Sequence, residues 1–268
     1  MKVLFVGDVI GAPGRHAVRE LLGPFVQSRG IEFVIANAEN AAGGKGLTPT
    51  VADDLFAAGI HVLTNGNHIW QHKEVLDLVE RDERVLRPAN FPQGVGVPGR
   101  GSGVYTASGQ VKIAVLNLIG RVFMRPYDCP FRVGRREVER LRQQTPNIFV
   151  DFHAEATSEK NAMAWYLDGE VSAVIGTHTH VPTADERISE NGTAFQTDTG
   201  MTGPHDSVIG VRKDPVIEAM VRLMPTRHVP AKGDVRLCGL MVEVDIITGR
   251  ARHVERVCLK LAKSNEAD

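Results

Sequence analysis

The sequence lacks several features that would place it in a common class of protein. Its charges nearly cancel, with 31 Lys and Arg against 32 Asp and Glu, which excludes a global basic field for duplex nucleic acid. No apolar run approaches the length of a membrane span, and the run at the N-terminus is too short for a signal peptide. Aromatic residues make up only 6%, so platforms for stacking single-stranded bases are few. These absences predict a cytoplasmic protein with no membrane partner and no stable duplex nucleic acid partner.

Cysteine is also scarce. The three cysteines, Cys129, Cys238 and Cys258, lie far apart in the sequence, and none belongs to a C-x-x-C pair. This spacing argues against a structural zinc site and predicts reduced, buried thiols.

What the sequence does contain is an alternation of short apolar runs and helical patterns. Residues 3–6, 33–36, 61–63 and 148–152 read as buried strands, and helical patterns follow them, the first over about 16–27. Thr48 and Pro49 have the residue types of an N-cap and a first helical position. This alternation predicts a parallel sheet with crossover helices. With later strands expected up to the C-terminal region, we predict one α/β domain over the whole chain, 1–268, built as a single-domain two-sheet sandwich flanked by helices.

Polar side chains follow five of the predicted strands, at the point where each strand ends. Ligands bind beyond the carboxyl ends of the strands in an open parallel sheet, so we expect these ends to share one crevice. Each signal alone is also typical of a turn or a helix cap, and the hypothesis therefore depends on their joint occurrence. The residues concerned are Asp8, Glu39, Asn40, Asn67, His68, His153, His178 and His180.

The residue types in this set suit metal ions. Carboxylate oxygens together with imidazole nitrogens favour iron, manganese or zinc over calcium or magnesium. Glu39 has two oxygens and can bridge two ions about 3.5–4 Å apart. On an extended segment, His178 and His180 would project to the same side, so that each could serve a different ion. The sequence therefore predicts a two-metal centre.

The same segments resemble the motifs of the calcineurin-like metallophosphoesterase superfamily. The resemblance implies the fold of that superfamily, a sandwich of four layers in the order αββα. It also implies hydrolysis of phosphate esters at the metal centre. The matching segments are D-V-I from Asp8, N-A-E-N from Asn37, G-N-H-I from Gly66, the single His153, and G-T-H-T-H from Gly176.

Departures from the superfamily pattern narrow the resemblance. Ile10 stands where a metal-binding His is usual, Glu39 replaces the bridging Asp, and Ile69 replaces the acidic residue after G-N-H. This set, with V-G-D-V-I-G-A-P-G-R near the start, is similar to the bacterial YmdB-type branch. Members of that branch are similar to 2′,3′-cyclic-nucleotide phosphodiesterases, and the resemblance implies a di-iron centre. Asn40 would then take the place of the absent His.

The resemblance also implies a role for each residue. His68 would stand beside the ions as general acid, because an imidazole titrates near neutral pH. A metal-activated hydroxide would attack the phosphorus of a small phosphodiester such as a 2′,3′-cyclic nucleotide. One ion would take Asp8, Glu39, Asn40 and His180, and the other would take Glu39, Asn67, His153 and His178.

The sequence leaves several alternatives open. The activity could instead be that of a phosphomonoesterase or phosphoprotein phosphatase, an RNA nuclease, or a nucleotide-sensing regulatory protein with little turnover. Manganese or zinc could replace iron, and a homo-oligomer is compatible with the sequence. A Gly-rich loop at residues 41–46 could approach a phosphate through its backbone. The roles left undecided are those of Lys45, in that loop, and of Arg15, Arg121, Arg125 and His205.

Overall fold

The structure is a computed structural model that describes residues 1–92 and 94–262. No helix within that part of the chain has both the length and the apolar character that a bilayer crossing requires. The strands are β1 (Lys2–Val6), β2 (Asp8–Val9), β3 (Phe33–Asn37), β4 (Val62–Thr64), β5 (Ser102–Thr106), β6 (Lys112–Ile119), β7 (Ile148–His153), β8 (Ala173–Thr177), β9 (Arg187–Ile188), β10 (Ala194–Gln196), β11 (Met201–Pro204), β12 (Val235–Val244) and β13 (Ala251–Lys260). The helices are α1 (Gly11–Arg29), α2 (Pro49–Ala57), α3 (Val75–Arg81), α4 (Pro130–Arg142), α5 (Thr157–Tyr166) and α6 (Lys213–Arg222).

The strands form two mixed sheets. The first has the order β2-β11-β12-β1-β3-β4, with β13 also paired to β12. Its strands β1, β3 and β4 are parallel, whereas β12 runs antiparallel to β1. The second has the order β5-β6-β7-β8-β10-β9, in which β6, β7, β8 and β10 are parallel and both edge strands are antiparallel. The predicted parallel pairing is found for β1, β3 and β4, and distant parts of the chain add antiparallel neighbours such as β12.

Alternate residues of β1 face two different apolar layers. Leu4 and Val6 belong to a core cluster that includes residues of α1, α2 and α3. Val3 and Phe5 belong to a second cluster that fills the space between the two sheets. A third cluster joins the outer face of the second sheet to α4 and α5. The layers are thus helices, sheet, sheet and helices, and the predicted two-sheet αββα sandwich is confirmed. The assignment of residues 1–268 to one domain stays a prediction.

Local signals located one helix start well and another poorly. Thr48 is the N-cap of α2, its side chain accepts a backbone hydrogen bond, and Pro49 opens the helix as predicted. Helix α1 begins at Gly11, five residues before the first residue expected to be helical. Its first turn tolerates Pro13, because N–H groups there have no partner within the helix.

The cysteines are free but not uniformly buried. Cys238 is buried, Cys129 is half-buried and Cys258 is exposed, so the prediction of buried thiols was right for Cys238 alone. Cys238 and Cys258 lie opposite each other on β12 and β13, with their sulfur atoms 3.8 Å apart. Strand pairing therefore brings together two thiols that are distant in sequence.

Candidate metal centre

The polar residues predicted from the strand ends meet in one place, between the ends of the two sheets. The expected crevice is therefore not the edge of a single sheet. Each sheet presents one set of donors to the other across this boundary. The first sheet contributes Asp8, Glu39, Asn40, Asn67 and His68, and the second contributes His153, His178 and His180.

Glu39 and His153 lie at the middle of a first donor group. Glu39 Oε1 is 3.1 Å from His153 Nε2. The same nitrogen is 3.2 Å from Asn67 Oδ1 and 3.0 Å from His178 Nδ1. Ligand atoms of Glu39, His153 and His178 all lie within 4.8 Å of one another. Such a convergence of oxygen and nitrogen donors can hold a transition-metal ion.

Asp8, Asn40 and His180 form a second donor group beside the first. His180 Nε2 is 3.2 Å from Asn40 Nδ2 and 3.8 Å from Asp8 Oδ1. Asn40 Nδ2 also donates to Glu39 Oε1 at 3.1 Å, so Glu39 contacts both groups. Among the described residues, Asp8 Oδ1 is buried without a hydrogen-bond partner. A buried carboxylate oxygen is costly to leave unpaired, and a cation would satisfy it.

A buried network orients His153. Its Nδ1 lies 2.9 Å from the hydroxyl of Thr177, which donates to Asp151 Oδ1 at 2.7 Å. Asn37 and Thr64 donate to the other oxygen of Asp151. The hydroxyl therefore accepts from Nδ1–H, which leaves the lone pair of Nε2 directed at the donor group. Metal-binding histidines are commonly oriented through their other nitrogen in this way.

Glu155 is a candidate residue that the sequence did not single out. Its Oε2 lies 3.1 Å from His178 Nε2, while His178 Nδ1 faces His153. The carboxylate can therefore hold the imidazole through the nitrogen that points away from the donor group. The sequence offered a signal, since Glu155 follows His153 by two residues, just after a strand that ends in a candidate donor.

The H-T-H segment is bent, which corrects the expectation that it is extended. His178 has φ 97° and His180 has φ 66°, in the left-handed region that side chains disfavour. Asp198 Oδ2 holds the bend by accepting from Thr179 N at 3.1 Å and from Thr179 Oγ1 at 2.7 Å. Lys160 Nζ pairs with the same oxygen at 2.8 Å. The two imidazoles reach different donor groups because of this bend.

The glycine of G-N-H permits the close approach of the donors. A Cβ atom at Gly66 would lie 2.3 Å from His153 Nε2 and 2.4 Å from Glu39 Oε2. Two residues later, His68 N donates to Glu39 Oε2 at 3.0 Å. The turn therefore needs a residue without a side chain at position 66.

The ionisable groups in this buried cluster have shifted pKa values, which come from burial and from one another's charges. Burial lowers the pKa of His153, but Glu39, Asp8 and Asp151 outweigh it and raise the pKa to about 9. Burial raises the pKa of Asp8. Burial and the neighbouring His153 lower the pKa of His178 to about 3. The buried carboxylates thus favour a compensating positive charge, which a proton or a metal ion can supply.

Two cavities open beside the donor groups, and His68 lines both. The larger, of about 790 Å³, includes Lys45, Asn40 and His180 in its wall. Burial lowers the pKa of His68. Because His68 lines both cavities, a substrate in either one would lie next to this imidazole. The smaller cavity, of about 370 Å³, is lined by Asn67, His68, Phe123, Met124, Arg125, Tyr127 and His178.

The structure separates the residues whose roles the sequence left undecided. Lys45 lines the larger cavity and Arg125 lines the smaller one. Arg15 donates to a backbone carbonyl of the Gly-rich loop, so it supports that loop. Arg121 and His205 line neither of the two cavities.

Comparisons with solved structures define the class of protein. A hypothetical protein from Thermus thermophilus has a TM-score of 0.90 and 40% identity, over 97% of this chain and 99% of that one. A novel phosphatase from Mycoplasma pneumoniae also has a TM-score of 0.90, at 35% identity, over 97% and 93% of the two chains. With the donor set described above, this fold is that of the metallophosphoesterases.

The chain belongs to the YmdB-like protein family, whose model matches residues 4–257. It is also 44% identical over 259 residues to the 2′,3′-cyclic-nucleotide 2′-phosphodiesterase of Bacillus subtilis (strain 168). That match covers 97% of each sequence. The resemblance inferred from the motifs is thereby confirmed.

Proposed function

We propose that the protein is a two-metal phosphodiesterase that hydrolyses small phosphodiesters, with 2′,3′-cyclic nucleotides as the substrate class. One observation carries the proposal: two donor groups, each with residues from both sheets, meet at Glu39, which contacts both. The name of the B. subtilis relative, at 44% identity, supports the substrate class.

The two donor groups correspond to two metal sites that share Glu39. The unpaired Asp8 Oδ1 supports a metal site at the second donor group, and the convergence on His153 Nε2 supports one at the first donor group. A half-turn of the Asn40 amide exchanges its oxygen and nitrogen atoms, and Asn40 would then bind the metal through its oxygen. The site at the second donor group comprises Asp8, Glu39, Asn40 and His180, and the site at the first donor group comprises Glu39, Asn67, His153 and His178.

We propose iron as the native metal, as the resemblance to the YmdB-type branch implies, with manganese and zinc as the alternatives. All the proposed ligand atoms are nitrogen or oxygen, which suits borderline ions. When bound, two such cations neutralise the charge of a diester and lower the pKa of water. Elemental analysis of the purified protein tests both the number and the identity of the ions.

His68 is proposed as the general acid. Its backbone N–H donates to Glu39 Oε2, and His68 lines both cavities that open beside the donor groups. Burial lowers its pKa, which makes the proton of the imidazolium easier to release to a leaving alkoxide. For a cyclic substrate the leaving oxygen stays on the ribose, and the product is a monoester.

Two variants separate metal binding from proton transfer. Asp8→Asn should lower the metal content per chain, whereas His68→Asn should keep the metal and lower kcat about 100-fold or more. The control is His16→Asn, because His16 is half-exposed on α1 and outside both donor groups. Full metal content in Asp8→Asn would contradict the ligand assignment. Wild-type turnover in His68→Asn would contradict the general-acid role.

A substrate panel separates the proposed activity from its alternatives. Metal-loaded protein should hydrolyse adenosine 2′,3′-cyclic phosphate faster than a nucleoside monophosphate, a phosphopeptide or single-stranded RNA. Faster turnover of the monoester or the phosphopeptide would make the protein a phosphatase. We also propose a cytoplasmic location, which fractionation of the source cells can test.

A further inference from the structure

The smaller cavity has aromatic side chains in its wall. Phe123 and Tyr127 line it together with His68 and Asn67, which belong to the metal centre and its surroundings. The side chain of Phe123 is 88% exposed. We propose that Phe123 and Tyr127 form a subsite that stacks the nucleobase of the substrate. This inference rests on the proposed function and specifies a nucleotide as the substrate.

Tyr127 is the rigid part of this subsite. Its ring packs edge-on against Phe91, with the ring centroids 5.2 Å apart. Phe91 in turn packs against Trp70 at 5.7 Å. These contacts fix one wall of the cavity before any ligand arrives, which reduces the entropy lost on binding.

Phe123 is held in an unfavourable position. Its φ of 60° lies in the left-handed region, where a bulky side chain is strained. The carboxylate of Glu159 holds the turn, because it accepts from the backbone N–H groups of Arg121 and Val122 at 3.2 Å. Glu159 is itself only 5% exposed. A buried carboxylate thus stabilises a strained turn that keeps a large aromatic ring in solvent.

The chemistry of the cavity suits a nucleobase better than a phosphate. The diester belongs at the donor groups, where buried carboxylates favour cations. Aromatic rings stack on any base through its π-face, and the guanidinium of Arg125, also in the wall, can stack in the same way. A cavity of about 370 Å³ has the size of a small-molecule site. The few aromatic residues of the chain thus include two at the place where a base would lie.

The test compares two substrates that differ only in the base. The first is adenosine 2′,3′-cyclic phosphate, and the second is the 2′,3′-cyclic phosphate of 1-O-methylribose. Phe123→Leu keeps an apolar side chain but removes the ring, so the ratio of kcat/KM for the first substrate over the second should fall about tenfold. Phe123→Trp should keep or raise the ratio. The control is Val122→Ala, which alters the same turn outside the cavity and should leave the ratio unchanged.

A binding measurement separates failure of this inference from failure of the proposed function. Calorimetry of adenosine 3′-monophosphate binding should give a Kd about tenfold weaker for Phe123→Leu and unchanged for Val122→Ala. If the wild type hydrolyses neither substrate, the proposed function is wrong, and this Kd still tests the subsite. If Phe123→Leu changes neither the kcat/KM ratio nor the Kd, the subsite is overturned.

Discussion

The buried ion pair below the H-T-H segment allows a sharp test of how the site is supported. The side chains of Lys160 and Asp198 are 1% and 0% exposed, and Nζ lies 2.8 Å from Oδ2. Lys160→Met keeps most of the length of the side chain but leaves the Asp198 carboxylate buried without its counter-charge. Breaking one partner of a buried pair costs about 3–5 kcal/mol. Because Thr179 and Gly200 still donate to Asp198, we expect the lower end, about 3 kcal/mol.

The assay is urea unfolding of the wild type and the variants at neutral pH. The matched control is Lys213→Met, because Lys213 pairs with Asp206 at 2.6 Å but both side chains are at least half-exposed. That variant should not change the unfolding midpoint measurably. Adding Asp198→Asn to Lys160→Met should recover part of the lost stability, since the uncompensated charge is then removed. If Lys160→Met and Lys213→Met have the same unfolding midpoint, the buried pair contributes no more to stability than the exposed one, and the reasoning is refuted.

Two further predictions concern the close packing of the donors and the bound metal. Gly66→Ala should abolish metal binding, because its Cβ would lie 2.3 Å from His153 Nε2, and elemental analysis would measure this. The control is Gly23→Ala in α1, whose Cβ lies far from the donors and which should leave the metal content unchanged. A chelator should lower the melting temperature of the wild type more than that of Asp8→Asn, because the variant has less stabilising metal to lose. Equal shifts for these two proteins would contradict the ligand role of Asp8.

The bounds of several strongly patterned elements were predicted within a few residues. Strand β7, for example, was expected at residues 148–152 and spans Ile148–His153. The short strands β2 and β9 were not predicted, since two residues carry no periodicity. The antiparallel place of β12 beside β1 was not predictable either, because nothing local to β12 identifies its partner.

The donor residues of the site were predictable because their types and their positions at strand ends are properties of the sequence. The residues that position these donors were not predictable from the sequence. Asp151 acts on His153 through Thr177, and Asp198 holds Thr179, yet no sequence pattern links either carboxylate to the group that it positions. Only packing shows which polar groups are buried together and must satisfy one another.

The sequence by itself determined the order of the main strands and helices, the kinds of donor atom and the family. It did so because periodicity and chemical type are local properties of the chain. The tertiary structure decided that the donors come from two facing sheets and that His178 and His180 diverge through a strained bend. It also decided that Phe123 stays in solvent beside the donor groups. These features depend on contacts between residues far apart in the sequence, which no local pattern encodes.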